Sequence, residues 1–137
     1  MRPLLLDTCA VIWMAEGDQI SEQSTTLMGE GAASGAQIYV SPITAWEIGL
    51  LVARKRLQMT ATPERWFADV LALPLMNLAP MPPALLIASS FLPGKPPRDP
   101  ADRIVAATAR DLGATLITRD RVLLDYGKQG HISVVAC

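Results

Sequence analysis

The sequence predicts an α/β fold in which a central, mostly parallel sheet is covered by helices on both faces. Three observations point to it. Short strand-like runs recur at Leu4-Leu5-Leu6, at Ile38-Tyr39-Val40 and over residues 114–118, and the first, apolar without alternation, reads as a strand buried on both faces. Segments of helical period separate them, and alternating strands and helices imply parallel pairing. Acidic residues close two of the runs, Asp7 after the first and Asp120 after residues 114–118. In parallel sheets, ligands bind outside the carboxyl ends of the strands.

The remaining elements follow in chain order. Residues 8–15 begin a helix, with Val11, Ile12 and Ala15 at helical spacing. Residues 21–33 read as a polar surface helix with Ser21 as its N-cap, weakened at the far end by Gly29, Gly31 and Gly35. After the second strand, Ser41-Pro42 introduces a helix running to about Arg54, with Ile43, Trp46, Leu50 and Ala53 on one stripe. Thr62-Pro63-Glu64 starts another helix, carrying Trp66, Val70 and Leu71. Residues 75–78 suit a short strand, and Pro83 opens an apolar helix to about Phe91. A proline-rich loop leads to Arg98-Asp99-Pro100-Ala101-Asp102-Arg103 and a helix over residues 100–112, stopped by Gly113. Residues 114–118 form a strand, residues 122–126 a short helix and residues 131–136 a last strand.

Composition bounds the function. A chain of 137 residues, half of them apolar, fits one domain over residues 1–137 with a substantial core. The net charge of −1 gives no global attraction for a polyanion, so any phosphate ligand needs a local patch or a metal. Two cysteines, Cys9 and Cys137, and no secretory pattern around Met1-Arg2-Pro3 fit free thiols in a reducing cytoplasm. No apolar run approaches the ~20 residues of a membrane span.

The carboxylates carry the chemistry. Asp7 stands between three leucines and an apolar helix, where it is mostly enclosed; taken alone it serves as a helix cap. Asp120 has the same alternative ahead of the helix that follows it. Glu47, beside Trp46 and Ile48, reads singly as a surface residue of an amphipathic helix. Asp99 and Asp102 frame Pro100 as N-cap and N3 of a helix. Asp102, one turn in on the side of Val105 or Ala106, faces partly inward and needs a cation or Arg103 to offset its burial. Clustered carboxylates repel unless protonated or neutralised. An all-oxygen set suits Mg²⁺ or Mn²⁺, whereas a single His131 and no CxxC pair disfavour zinc. Such a site can hydrolyse a phosphodiester without a protein nucleophile. Other phosphate chemistries lack their motifs: there is no GxxxxGK[ST] loop, no GxGxxG after a strand, and Cys9 stands where aspartate-nucleophile phosphatases carry a second aspartate. Arg98, Arg103 and Arg119 are placed to meet phosphates or to pair with the acids. Trp13, Trp46 and Trp66 fit core or interface positions better than a base-stacking platform.

Four segments, Leu-Leu-Leu-Asp-Thr, Ser-Pro-Ile-Thr-Ala-Trp-Glu-Ile, Arg-Asp-Pro-Ala-Asp-Arg-Ile-Val-Ala-Ala-Thr-Ala and Leu-Ile-Thr-Arg-Asp, occur in the order and spacing of PIN domains. Over essentially its whole length the chain resembles the short VapC-type toxins of bacterial toxin–antitoxin pairs. The resemblance implies a three-layer α/β/α PIN-like fold and an endoribonuclease dependent on Mg²⁺ or Mn²⁺. It implies Asp7 and Asp102 as principal metal ligands, with Glu47 and Asp120 completing the acidic site. Thr118 and Thr8 are the accompanying hydroxyls. Asp99 belongs to a DPxDR pattern, as a cap or a fifth acid. The resemblance also implies an RNA substrate, a homodimer and a cognate antitoxin whose tail occupies the acidic groove. Two other readings stay open: a non-catalytic metal- or RNA-binding relative, and a phosphatase of small substrates.

Overall fold

The computed structural model describes residues 2–16 and 22–137. In chain order it contains β1 (Leu4–Leu6), α1 (Thr8–Glu16), α2 (Glu22–Ala33), β2 (Ile38–Val40), α3 (Pro42–Ala53) and α4 (Pro63–Leu71). There follow β3 (Met76–Leu78), α5 (Pro83–Ala88), α6 (Pro100–Leu112), β4 (Thr115–Thr118), α7 (Arg121–Lys128) and β5 (Ser133–Ala136). The strands form one five-stranded sheet in the order β3-β2-β1-β4-β5, and all four pairings are parallel. The expected Ser21 cap lies outside the described residues.

The layers follow from the pleat, which sends successive side chains to opposite faces. Leu5 and Leu116 point into one core with Val105, Ala106, Ala109, Leu123 and Tyr126 of α6 and α7. Leu4, Leu6 and Ile117 point into the other, with Ala10 and Val11 of α1 and Val70 of α4. Leu4, Leu5 and Leu116 are fully buried, as expected of strands covered twice. The alanines of α6 let its backbone approach the sheet closely. Gly127 does the same for α7, since a Cβ there would run into Val134 of β5. Gly113 ends α6 in the left-handed region at φ +61°, where glycine carries no Cβ penalty. Among the described residues, no helix is long and apolar enough to cross a membrane.

Two expectations are corrected. The inward face of α3 is set by Thr44 and Ile48, whereas Trp46 is 57% exposed. Nearly every residue of α3 is apolar, so its periodicity does not define a face. The helix from Pro83 stops at Ala88, short of Phe91. The Ser89 hydroxyl donates to the Leu86 carbonyl, and the chain turns there toward the proline-rich loop.

Candidate active site

The carboxyl edge of the sheet is built by β1 and β4 at its centre. Asp7 leaves β1, and its amide donates to the Ile117 carbonyl at 3.0 Å, which carries the ladder one residue past the strand. This fixes Asp7 at 6% exposure between two strands and α1. Its Oδ1 accepts the Thr8 amide at 2.9 Å. Its Oδ2 accepts the Thr118 hydroxyl at 2.7 Å. The Cys9 thiol donates to the same oxygen at 3.7 Å. Burial drives the Asp7 carboxyl above its ordinary range, the hydrogen bonds from Thr118 and Thr8 oppose this, and the charge of Asp120 adds to the rise.

Thr118 couples two acids. While donating to Asp7, its oxygen accepts the Asp120 amide at 3.0 Å. Asp120 also caps α7, its Oδ1 accepting the amides of Val122 at 2.7 Å and Leu123 at 3.3 Å. Capping and cleft position are therefore not alternatives for Asp120; it holds both.

Glu47 arrives from α3. Ser41 caps that helix, accepting the Ile43 amide at 3.1 Å, and Pro42 occupies the first turn. The Thr8 hydroxyl donates to Glu47 Oε1 at 2.6 Å and lies 3.0 Å from the Thr44 hydroxyl. Since Thr8 has one proton to give, the Thr44 hydroxyl donates to Thr8. Thr44 is thus a supporting residue that the sequence alone did not single out. Burial raises the Glu47 carboxyl, the Thr8 hydrogen bond opposes it, and Asp7, Asp99 and Asp120 push it further up.

Asp102 is set by its cap. Asp99 Oδ2 accepts the Asp102 amide at 3.0 Å, and Pro100 starts α6. Asp102 is pushed up to about 7, first by burial and then by the charges of Asp120, Asp99, Asp7 and Glu47. The four other acids all act on this one side chain, so the five belong to one electrostatic unit. Among the described residues, the two salt bridges lie elsewhere, at Arg65–Asp69 and Lys128–Asp125.

Asp7, Glu47, Asp102 and Asp120 line one cleft of about 400 Å³, together with Thr8, Cys9, Ile12, Trp13, Leu51 and Arg119. Asp99 is not part of its lining. A cleft of about 550 Å³ at the amino ends of β4 and β5, lined by Arg2, Arg110, His131 and Ser133 among others, contains no acid. Of the three arginines singled out, Arg119 lines the acidic cleft. Arg103 turns away and donates to the Ser89 carbonyl at 3.3 Å, so it does not offset the burial of Asp102. Arg98 is exposed and outside the lining. The cleft also contains Trp13, with the Arg119 guanidinium carbon 3.2 Å from its ring centroid. The spacing of Cys9 and Trp13, one helical turn apart, was a readable signal that both share the cleft side of α1.

The donor chemistry fits a hard divalent cation: carboxylates and hydroxyls, with neighbours of the same charge that a cation would relieve. Cys9, whose thiol burial and Asp7 push up to about 12, stays protonated and offers no thiolate. Among the described residues, no three acids, cysteines or histidines already stand close enough to enclose an ion. As placed, Asp7, Glu47 and Asp120 are hydrogen-bonded to hydroxyls and amides.

A parallel sheet of this order, with carboxylates converging at its central edge, defines the class. The chain belongs to the PIN domain family, whose model matches residues 4–129. It is 29% identical over 135 residues to Ribonuclease VapC22 of Mycobacterium tuberculosis, covering 98% of this chain and 99% of that protein. Its fold is shared by VapBC2 from Rickettsia felis, solved bound to a promoter DNA fragment, at a TM-score of 0.66 and 13% identity over 97% of both chains. FitAcB from Neisseria gonorrhoeae shares it at a TM-score of 0.56 and 22% identity, over 96% of this chain and 95% of that one.

Proposed function

We propose that this chain is a metal-dependent endoribonuclease of the VapC kind, the toxin of a toxin–antitoxin pair, formed as a single domain acting in the cytoplasm. The observation that carries this reading is the convergence of Asp7, Glu47, Asp102 and Asp120 on one cleft. Near-full-length similarity to a ribonuclease supports the substrate class. Asp7, Asp102 and Asp120 would hold Mg²⁺ or Mn²⁺. When bound, such an ion supplies charge that neutralises the acids, polarises a phosphoryl oxygen and acidifies water.

The chain's own residues divide the remaining work. Thr118 orients Asp7 and seats Asp120 through one hydroxyl. Thr8, backed by Thr44, fixes Glu47 through Oε1. Glu47 Oε2 takes the proton of the attacking water, because a carboxylate raised by burial is a stronger base than a solvated one. Arg119 faces the RNA at the cleft wall, with Arg98 further out. Asp99 acts as a cap that presents Asp102.

A cognate antitoxin covers the acidic cleft and so restrains cleavage; its natural contact is a cation offered to the acids. Exposed apolar side chains on and beside α3 and α5, Trp46, Ile87 and Phe91 at 57, 63 and 79% exposure, support burial against a second copy or the partner.

The test uses purified protein with Mn²⁺ and two substrates, a structured RNA and a simple phosphate monoester. Cleavage of the RNA alone, abolished by chelation, is expected. Hydrolysis of the ester with the RNA left intact would replace this reading with a phosphatase. Cation binding without turnover of either would leave a binding protein.

A further inference from the structure

One wall of the acidic cleft is not acidic. Trp13 of α1 and Arg119, immediately after β4, are stacked with 3.2 Å between the guanidinium carbon and the indole centroid. Arg119 Nε donates to the Cys137 carbonyl at 3.0 Å, which helps hold the guanidinium over the ring. Ile12 and Leu51 continue this wall on the apolar side. Arg119 is the one cation among the ten described residues that line the cleft. Both members of the pair are close in sequence to an acid: Arg119 precedes Asp120, and Trp13 lies on the helix that starts right after Asp7.

Building on the ribonuclease reading above, we propose that the Trp13–Arg119 pair is the nucleobase platform of the cleft, stacking an unpaired base next to the phosphate that is cleaved at the acids. Bases of single-stranded RNA are bound by stacking on aromatic rings and on guanidinium planes, and this pair supplies both in one stack. A cation over an indole face is held by the ring quadrupole, so the platform is assembled before substrate arrives. The apolar residues beside it suit the edge of a base and not a second phosphate. The cleft, about 400 Å³, is of the size that takes a single small unit, which suits one unpaired base. The acids repel a phosphate backbone until neutralised, and a stacked base gives the substrate a hold that does not depend on charge.

The experiment measures steady-state cleavage of a single-stranded oligoribonucleotide with Mn²⁺ by wild type and four variants. Trp13→Ala and Arg119→Ala should raise KM about tenfold, the scale of losing one stacked base, with kcat within about threefold. Trp13→Phe keeps a ring and should stay close to wild type. Arg119→Lys keeps the charge without the plane and should behave as Arg119→Ala. Recovery by Arg119→Lys would make Arg119 a phosphate contact and overturn the platform. An abasic nucleotide walked along the oligonucleotide should, at one position, reduce wild type to the level of Trp13→Ala and leave that variant unaffected. Unchanged KM in both alanine variants, or equal abasic losses in all proteins, would overturn the proposal and leave the apolar wall to a protein side chain. If Trp13→Ala does not fold, Arg119→Ala and Arg119→Lys decide. Failure of the wild type to cut any RNA strikes the nuclease reading itself. Failure of the platform alone requires an active wild type whose variants match it.

Discussion

Asp7→Asn is expected to remove RNA cleavage while the protein stays folded and melts at a higher temperature without added cation. Asparagine keeps the shape: its Oδ1 can still accept the Thr8 amide, while its Nδ2 would donate to the Thr118 hydroxyl, reversing that bond. What it loses is the charge at the most enclosed of the acids. Charge that stabilises a phosphoryl transition state is worth several kcal/mol, and each 1.36 kcal/mol is tenfold in rate, so activity should fall about a thousandfold or more. The stability gain has the opposite origin. Burial already pushes Asp7 toward protonation, so neutralising it removes an unfavourable buried charge. Loss of cleavage with a raised melting temperature separates a functional carboxylate from a structural one, whose removal would lower both. Asp102→Asn should behave alike. Circular dichroism melts and a gel-based cleavage assay on the same preparations check both halves.

The second large effect is a stability that falls as pH rises. Asp102 stands at about 7 in the folded protein against 3.8 for a free aspartate, and Asp7 and Glu47 are raised in the same direction. Between those values the folded state holds protons that the unfolded state has released. The slope of unfolding free energy with pH is then negative. Protonation therefore stabilises the fold. In chelator, the melting temperature should drop by about 5 °C between pH 5 and pH 8, most of it below pH 7. Asp102→Asn should flatten the curve. A melting temperature that rises over this interval would mean that the acids are paired with cations from the chain, contrary to the geometry described.

The fold was legible because its signals are local and independent. Leu4-Leu5-Leu6 cannot satisfy a one-sided strand, Asp99-Pro100 and Gly113 bracket α6 at both ends, and Thr62-Pro63 opens α4. The positions of the acids were legible as well, since Asp7 and Asp120 follow strands, Asp102 opens a capped helix, and Glu47 lies in the second turn of another. Residues whose role depends on which helix packs against which were hidden. Thr44 acquires its part only because α3 crosses α1 and brings it to Thr8. Trp13 was read as a core or interface residue in preference to a base-stacking one, and the approach of Arg119 from the end of β4 is what makes it a cleft wall. Arg103 looked like the natural counter-ion of Asp102, yet adjacent helix positions point about 100° apart and it reaches Ser89 instead. The exposure of Trp46 was concealed because α3 is apolar nearly all round. Local patterns report elements, whereas pairings across the sheet edge need the packing.

Calorimetric titration of Mn²⁺ into wild type, Asp7→Asn and Asp102→Asn at pH 8 asks directly whether these carboxylates form one cation site. The account predicts saturable binding by the wild type, weakened at least tenfold in each variant and weakened in the wild type at pH 6, where protons compete at Asp102. Equal Mn²⁺ affinity in all three proteins, or no binding by the wild type, would contradict it.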